Sequence, residues 1–178
     1  YPLRRQRQMC IRDRSHILQK SVDMPVDEYA QKYLFEPLGI KDFYWKKTPR
    51  GLIDAESGLY LTSKDFMKLG QLYLDNGNWR GAQILPEGWV ESTMAPAFDT
   101  GYMGNSYGFQ WWLAPYDEGG DNWMFSGSGY GGQYLLIIPE YELVIVFNGW
   151  NIFDKARPAK EYLASRVLKG IMSAEGVK

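Results

Sequence analysis

The sequence predicts an α+β fold in which helices flank an antiparallel β-sheet. Helical spacing of apolar residues marks the first half of the chain, four short β-branched and aromatic runs follow, and a helical pattern closes it. The predicted strands are Tyr107–Leu113, Asn122–Gly127, Gly132–Ile138 and Glu142–Asn148. The loops between them are shorter than the crossover that a parallel pair requires, so we expect one antiparallel sheet with the closing helix on one face.

The composition narrows the class of protein. With 178 residues the chain is long enough for one domain with a sizeable core, and its net charge of −1 argues against nucleic-acid binding. A single His, His16, excludes a multi-His metal site, and we expect no cofactor. We place His16 on the surface or at an interface of the first helix. No apolar run is long enough to cross a membrane, so no membrane span is expected.

Residues 1–14 differ from the rest of the chain. They carry five Arg against one acidic residue, Asp13, and show no amphipathic period. We interpret them as a non-native or disordered leader, because Met9–Arg14 resembles translated adapter sequence at the end of an assembled fragment. A basic arm for anionic partners is the alternative. The native domain is therefore expected over residues 15–178, which would make Cys10 foreign.

Two helices are predicted before residue 40. Ser15–Ser21 has the composition of the end of a helix. Apolar residues then recur at helical spacing after Pro25, which suits a first helical turn, and Pro37 stops the pattern. The predicted apolar face comprises Val26, Tyr29, Ala30, Tyr33 and Leu34.

Further helices are predicted along the chain. Thr62, with Asp65 three residues later, is typical of an N-cap, and Asn76–Gly77 is expected to end that helix in a left-handed conformation. The residues expected on its buried face are Phe66, Leu69 and Tyr73. The other predicted elements are a short helix Glu87–Met94, a loop Pro96–Asn105 and the closing helix Pro158–Ile171.

The stretch from Gly127 to Gly132 carries four glycines in six residues and precedes a predicted strand. Glycine lets the backbone take left-handed conformations and lets a ligand approach bare N–H groups. A bulged entry to the strand, without any ligand, accounts for the same composition. Both readings stay open on these residues alone.

Several segments carry a pattern through their order and spacing. They are Tyr33–Ile40, Gly58–Asp65, Leu69–Leu74, Ile84–Val90, Tyr107–Trp112 and Gly129–Gln133. Together they resemble the C-terminal part of the serine hydrolases related to class C β-lactamases, penicillin-binding proteins and esterases of that fold. The resemblance covers Ser15 to about Phe153. It implies an incomplete β-lactamase/transpeptidase-like fold and a small-molecule or peptide substrate, and it is compatible with a periplasmic or secreted protein.

The family catalyses acyl transfer with Ser-x-x-Lys, followed by Tyr-x-Asn or Ser-x-Asn. In this chain no Lys has a Ser or Thr three places before it, and no Tyr or Ser stands two places before an Asn. We therefore assign no catalytic residue here and expect the nucleophile, its Lys and the Tyr in a preceding segment. A chain with this fold and no nucleophile can also be a non-catalytic peptide- or glycan-binding module, which we keep as the alternative. A plain interaction domain with a basic arm is a third reading.

The family's third motif, Lys-Thr-Gly, is matched position by position by Gly127, Ser128 and Gly129. The resemblance implies that Ser128 keeps the Thr hydroxyl and that the Tyr130 N–H forms half of an oxyanion hole. Gly127 replaces the Lys, which removes a cationic contact to a substrate carboxylate and favours an esterase, amidase or peptidase. The predicted substrate-binding residues are Gly127, Ser128, Gly129 and Tyr130.

The chain is rich in aromatic residues, with seven Trp and thirteen Tyr. Such side chains can line a substrate cleft or fill a core. Those predicted near the glycine stretch are Tyr102, Trp111, Trp112 and Trp123. They are candidates for the walls of a cleft, and core packing explains each of them as well.

Overall fold

The computed structural model describes residues 2–102, 105–116, 123–129, 131–149 and 160–174. Two compact units divide the chain, Tyr1–Asp65 and Phe66–Lys178. In the described part the α-helices are α1 (Pro2–Val22), α2 (Val26–Ala30), α3 (Ser63–Leu74), α4 (Trp89–Met94) and α5 (Lys160–Ala174). The strands are β1 (Phe43–Trp45), β2 (Leu59–Leu61), β3 (Asn78–Trp79), β4 (Ala82–Gln83), β5 (Phe98–Tyr102), β6 (Asn105–Gly108), β7 (Trp111–Pro115), β8 (Trp123–Ser128), β9 (Gln133–Ile138) and β10 (Leu143–Asn148).

The main sheet lies in the second unit. Among the described residues, six strands follow one another in the order β5 to β10, and every neighbouring pair is antiparallel. This confirms the antiparallel sheet of the predicted α+β class. The two-residue link between β6 and β7 and the short turn between β9 and β10 leave no room for a crossover connection.

Two details of the predicted sheet are wrong. The predicted strand Tyr107–Leu113 is two strands, because Gly108 pairs with Trp111 and the chain reverses at Phe109–Gln110. Residues 98–102, predicted as part of a loop, form the edge strand β5. Neither feature has a local signal: the turn contains no glycine, and β5 has a bulge between Asp99 and Tyr102 that disrupts an alternating pattern.

Helices cover both faces of the sheet. On one face, fully buried side chains of β8 and β9 pack with Ala164 and Leu168 of α5, as predicted for the closing helix. On the other face, Gly70 of α3 lies so close that an ideal Cβ would be 2.6 Å from Cγ1 of Val144 and 3.0 Å from Cδ1 of Leu135. Pro158, where the closing helix was predicted to begin, lies outside the described residues.

In the first unit, α2 continues as a π-helical turn over Gln31–Phe35, in which Glu36 N donates to Gln31 O at 2.8 Å. A π turn holds one residue more than an α turn, so it shifts the side chains that follow it around the axis. The buried position therefore falls on Phe35, which is 1% exposed, whereas Leu34 is half-buried and Tyr33 is exposed. The predicted helix exists, but the end of its apolar face is one residue off.

Helix α1 runs without a break from Pro2 to Val22, so residues 2–14 and Ser15–Ser21 share one helix. An α-helix satisfies its own backbone hydrogen bonds and needs no apolar face for that. The interpretation of residues 1–14 as a foreign leader stays a prediction. His16 of this helix is half-buried and lines a cavity of about 470 Å³ with Thr48 and Ile53. Within the described segments, no helix is long and apolar enough to span a membrane.

The ends of α3 are as predicted. Asp65 N donates to Thr62 Oγ1 at 3.1 Å, and Thr62 Oγ1 donates to an Asp65 carboxylate oxygen at 2.8 Å. At the other end, Asn76 and Gly77 have φ of 50° and 82°, and Gly77 N donates to Leu72 O at 2.8 Å. These contacts satisfy backbone groups that a helix leaves unpaired at its termini.

Replacing Thr62 by Ala should lower the free energy of unfolding by about 1 kcal/mol, because the N-cap oxygen that accepts the Asp65 N–H is lost. Urea unfolding followed by circular dichroism measures the change. Thr62→Ser keeps the hydroxyl and should retain most of the stability. An equal loss in both variants would mean that the methyl group, not the cap, is what stabilises the helix.

Candidate substrate-binding site

The end of β8 projects beyond one of its neighbours. The β7–β8 pairing ends at Trp112 opposite Ser126, whereas the β8–β9 pairing continues to Ser128 opposite Tyr134. In the described part of the chain, Gly127 and Ser128 thus have β9 on one side and no paired strand residue on the other. Ser126 is fully buried, but Ser128 is exposed. The predicted motif therefore lies where a buried strand emerges at the surface with one open edge.

The structural reason for glycine differs between positions of the stretch Gly127–Gly132. Gly131 and Gly132 have φ of 124° and 88°, which L side chains rarely adopt, so the turn itself requires them. At Gly129 an ideal Cβ would lie 2.8 Å from Oε1 of Gln133. At Gly127 the nearest atom to an ideal Cβ is Leu135 Cβ, at 3.9 Å. Within the described part of the chain, packing therefore does not demand glycine at position 127, because a Cβ there would be in ordinary van der Waals contact.

The loop after β8 is closed and fastened to the end of β10. Gly129 N donates to Gln133 O at 2.7 Å, and Gly149 N donates to Gly132 O at 3.0 Å. The side-chain amide of Gln133 donates to Gly149 O. The loop is thus held by backbone bonds and by the half-buried side-chain amide of Gln133, a structural role that the family pattern did not predict.

The other predicted residues are distributed as follows. Tyr130 lies outside the described residues, and so does the side chain of Tyr102. Trp123 begins β8 and Ser128 ends it, so the two are roughly 17 Å apart along the strand. Trp123, a candidate for the wall of a cleft, therefore lies at the opposite end of the strand from the glycine stretch.

Trp111 and Trp112 lie beside the open end, but their rings pack against neighbours. The Trp111 ring lies 4.7 Å from that of Tyr73 in an edge-on contact, and the Trp112 ring lies 4.9 Å from that of Tyr107. The two side chains point to opposite faces of the sheet, as successive strand residues do. Each is half-buried, so they support the strand end more than they line open space.

Comparison with known families decides the class. The beta-lactamase family model matches residues 15–165, most of the chain. The chain belongs to the beta-lactamase family. This family includes serine hydrolases, which agrees with the order of the motifs in the sequence and with the antiparallel sheet covered by helices.

Three similar proteins show how much of a family member is present. The chain is 32% identical over 101 residues to a 6-aminohexanoate-dimer hydrolase of Paenarthrobacter ureafaciens, which aligns 52% of this chain but 25% of that protein. A solved structure named as a candidate 6-aminohexanoate-dimer hydrolase from Bacillus anthracis is 27% identical, with a TM-score of 0.68 over 92% of this chain and 41% of that one. Simvastatin synthase from Aspergillus terreus, at 17% identity and TM-score 0.65, covers 90% and 52% and shows the shared fold.

This beta-lactamase-family chain therefore spans between a quarter and about half of the length of the relatives that it matches. The partial coverage agrees with the predicted incomplete β-lactamase/transpeptidase-like fold. It also agrees with the absence of Ser-x-x-Lys and Tyr-x-Asn from residues 1–178.

Proposed function

We propose that the chain is the C-terminal part of a serine hydrolase that cleaves an amide or ester bond of a small linear substrate through an acyl-serine. The observation that carries the proposal is the end of β8 beyond its pairing with β7, where Gly127 is half-buried and Ser128 and Gly129 are exposed. An extended substrate segment can hydrogen-bond to a free strand edge. The amide substrate in the name of the 32% identical relative supports the amidase side of this proposal.

The reaction needs two sets of groups. A serine of the complete protein attacks the substrate carbonyl, the amine or alcohol leaves with a proton, and water then hydrolyses the acyl-serine. That serine and the groups that take its proton are the first set. The part described here supplies the second set, which positions the substrate carbonyl and stabilises the negative charge on its oxygen in the transition state. In this role Ser128 Oγ hydrogen-bonds the substrate, and the Tyr130 N–H donates to the oxyanion.

Residue 127 bears on the substrate class. A Lys at this position would offer a charge-assisted hydrogen bond to a substrate carboxylate, a contact worth roughly 1.5–3 kcal/mol. Gly127 cannot make that contact, although an ideal Cβ at this position would lie no closer than 3.9 Å to any atom of the described residues outside its chain neighbours. We infer that the substrate is recognised here through backbone hydrogen bonds and apolar contacts, which suits a neutral amide or ester.

A serine-reactive phosphonate tests the proposal. We expect no label on the chain 1–178, because none of its serines has a Lys three residues on and no Tyr-x-Asn is present to take the proton. We expect one label on the protein encoded together with its upstream sequence, at the Ser of a Ser-x-x-Lys. Mass spectrometry of the intact protein and its peptides measures both.

The matched control is the longer protein with that Ser replaced by Ala, which should take no label. Stoichiometric labelling of a serine within residues 15–178 would contradict the proposal, since the nucleophile would then lie in this part of the chain. A longer protein that binds substrate amides but takes no label would favour the non-catalytic peptide- or glycan-binding module instead.

A further inference from the structure

The turn between β6 and β7 is unusual in its residues. Phe109 and Gln110 have φ of 46° and 73°, as a two-residue turn with two left-handed positions requires. Asn-Gly or Gly-Gly fits such a turn with little strain, whereas a bulky residue at positive φ is disfavoured. The other non-glycine residues with positive φ in the described part of the chain are all polar or charged: Asp23, Asn76, Arg80 and Glu142. At this turn the chain keeps two side chains that the backbone geometry does not favour.

Neighbouring contacts hold the strained turn in place. At Gly108 an ideal Cβ would lie 2.7 Å from Ala95 O, so the backbone packs directly on the preceding segment. Tyr107 Oη donates to Gln110 Oε1 at 2.9 Å across the turn. The Phe109 ring meets the Trp89 ring of α4 edge-on, with centroids 6.4 Å apart. These contacts fix where Phe109 lies without burying it.

Both rings remain accessible. Phe109 is 61% exposed and Trp89 is 43% exposed, so the pair is not part of a core. Single exposed apolar residues are common on proteins and need no explanation by themselves. An exposed ring on a strained, fixed backbone is different, since strain of this kind is typically retained at sites that contact a ligand.

The turn adjoins the open end of β8. Trp112 pairs with Ser126, so continuing the antiparallel register sets Trp111 beside Gly127 and Gln110 beside Ser128. Adjacent strands lie about 4.8 Å apart, which puts the Phe109–Gln110 turn within roughly 10 Å of Ser128. A substrate whose carbonyl is held at Ser128, where the pairing of β8 with β7 has ended, would reach this turn within a few bonds.

We propose that Phe109, supported by Trp89, contacts the hydrocarbon chain of the substrate and selects substrates by the length of that chain. The inference rests on the proposed function, because it takes the end of β8 as the place where the substrate carbonyl is held. The exposed ring offers a flat apolar surface to methylene groups, and each methylene removed from water there strengthens binding. The selected class is linear amides or esters with an unbranched alkyl segment of several carbons.

Stability separates this role from a structural one. Phe109→Gly relieves the left-handed strain and removes a ring that is mostly exposed, so the urea midpoint of the chain should stay the same or rise. Gln110→Gly at the adjacent left-handed position is the matched control. It relieves the same kind of strain and keeps the Phe109 ring, but it loses the hydrogen bond from Tyr107. A clear fall in the midpoint for Phe109→Gly would make Phe109 a packing residue and would overturn the inference.

Binding of a homologous series tests the contact itself. The probes are the neutral amides N-ethylacetamide, N-butylacetamide and N-hexylacetamide, titrated by ligand-detected NMR. For the wild-type chain, affinity should rise by about twofold to fourfold per methylene. In Phe109→Ala the affinities should become nearly independent of length. Tyr162→Ala, which removes an exposed ring from α5, should leave the series unchanged.

The outcomes distinguish this inference from the proposed function. The role of Phe109 is wrong if affinity rises equally with chain length in the wild type and in Phe109→Ala. It is also wrong if the wild-type chain binds none of the probes. The phosphonate label decides the hydrolase assignment independently. If the longer protein takes the phosphonate label but affinity does not depend on chain length, the role of Phe109 is wrong and the hydrolase assignment stands. If the longer protein takes no label but affinity rises with chain length only when Phe109 is present, the hydrolase assignment is wrong and the role of Phe109 stands.

Discussion

Replacing Gly149 by Ala should destabilise the second unit by about 3 kcal/mol, because the added methyl group has no space. An ideal Cβ at this position would lie 2.7 Å from Gly132 O and 2.8 Å from Gly131 O. Both atoms belong to the backbone of a turn with positive φ, so a side-chain rotation cannot relieve the clash. Either the turn after β8 or the end of β10 must move, and the bond from Gly149 N to Gly132 O is lost.

The measurement is the urea midpoint together with hydrogen exchange of the Gly129 amide, whose bond to Gln133 O closes the same loop. Exchange should become faster in Gly149→Ala. The matched control is Gly127→Ala, where the nearest atom to the new Cβ is 3.9 Å away. Since Ala is more favourable than Gly in a strand by roughly 0.5–1 kcal/mol, this control should be neutral or stabilising. Equal midpoints for the two variants would contradict the packing described for the loop.

A second pair of glycines should respond in opposite directions. Gly70 lies in α3 against the sheet. Gly170 lies in α5, where no heavy atom of the described residues other than its chain neighbours and its own helix backbone lies within 4 Å of an ideal Cβ. Ala is more favourable than Gly in a helix by about 0.8–1 kcal/mol, so Gly170→Ala should stabilise the chain. Gly70→Ala brings the same gain but places its methyl 2.6 Å from Cγ1 of Val144, a β-branched side chain with few rotamers.

We expect Gly70→Ala to lose about 1–2 kcal/mol in total, since overpacking a core contact outweighs the gain in helix propensity. The two variants should then differ by about 2–3 kcal/mol, or roughly 4–12 °C in melting temperature for a chain of this size. Thermal unfolding of both variants under the same conditions gives the comparison. A stabilised Gly70→Ala would show that α3 stands further from β9 and β10 than the structure has it.

Much of the fold follows from local patterns in the sequence. The apolar runs of β9 and β10 are short, β-branched and bounded by turn residues, and they form neighbouring strands as predicted, β9 largely buried and β10 half-buried. The Thr62 cap and the left-handed Asn76–Gly77 end depend on residues within one turn of the helix, and both are present. Such features are predictable because their causes lie within a few residues of each other.

Other features depend on partners far along the chain. The π turn that moves Phe35 inward and the reversal at Phe109–Gln110 have no signal in residue type, and tertiary packing holds both. The same holds for β5, in which Asp99, Thr100 and Gly101 join a strand because β6 returns beside them. Trp123 was a candidate for the wall of a cleft because its strand leads to the glycine stretch, but an extended strand separates its first and last residues by its full length.

For the candidate site, the sequence by itself determined the motif Gly127-Ser128-Gly129, its likeness to the beta-lactamase family and the absence of the family's nucleophile pattern from this chain. These are properties of residue type and spacing. The tertiary structure alone decided that β8 outruns β7, that Gly127 has room beside it, and that the strained turn at Phe109 borders the same edge. Strand register and close approach between distant segments set these features, and neither is encoded in a local run of residues.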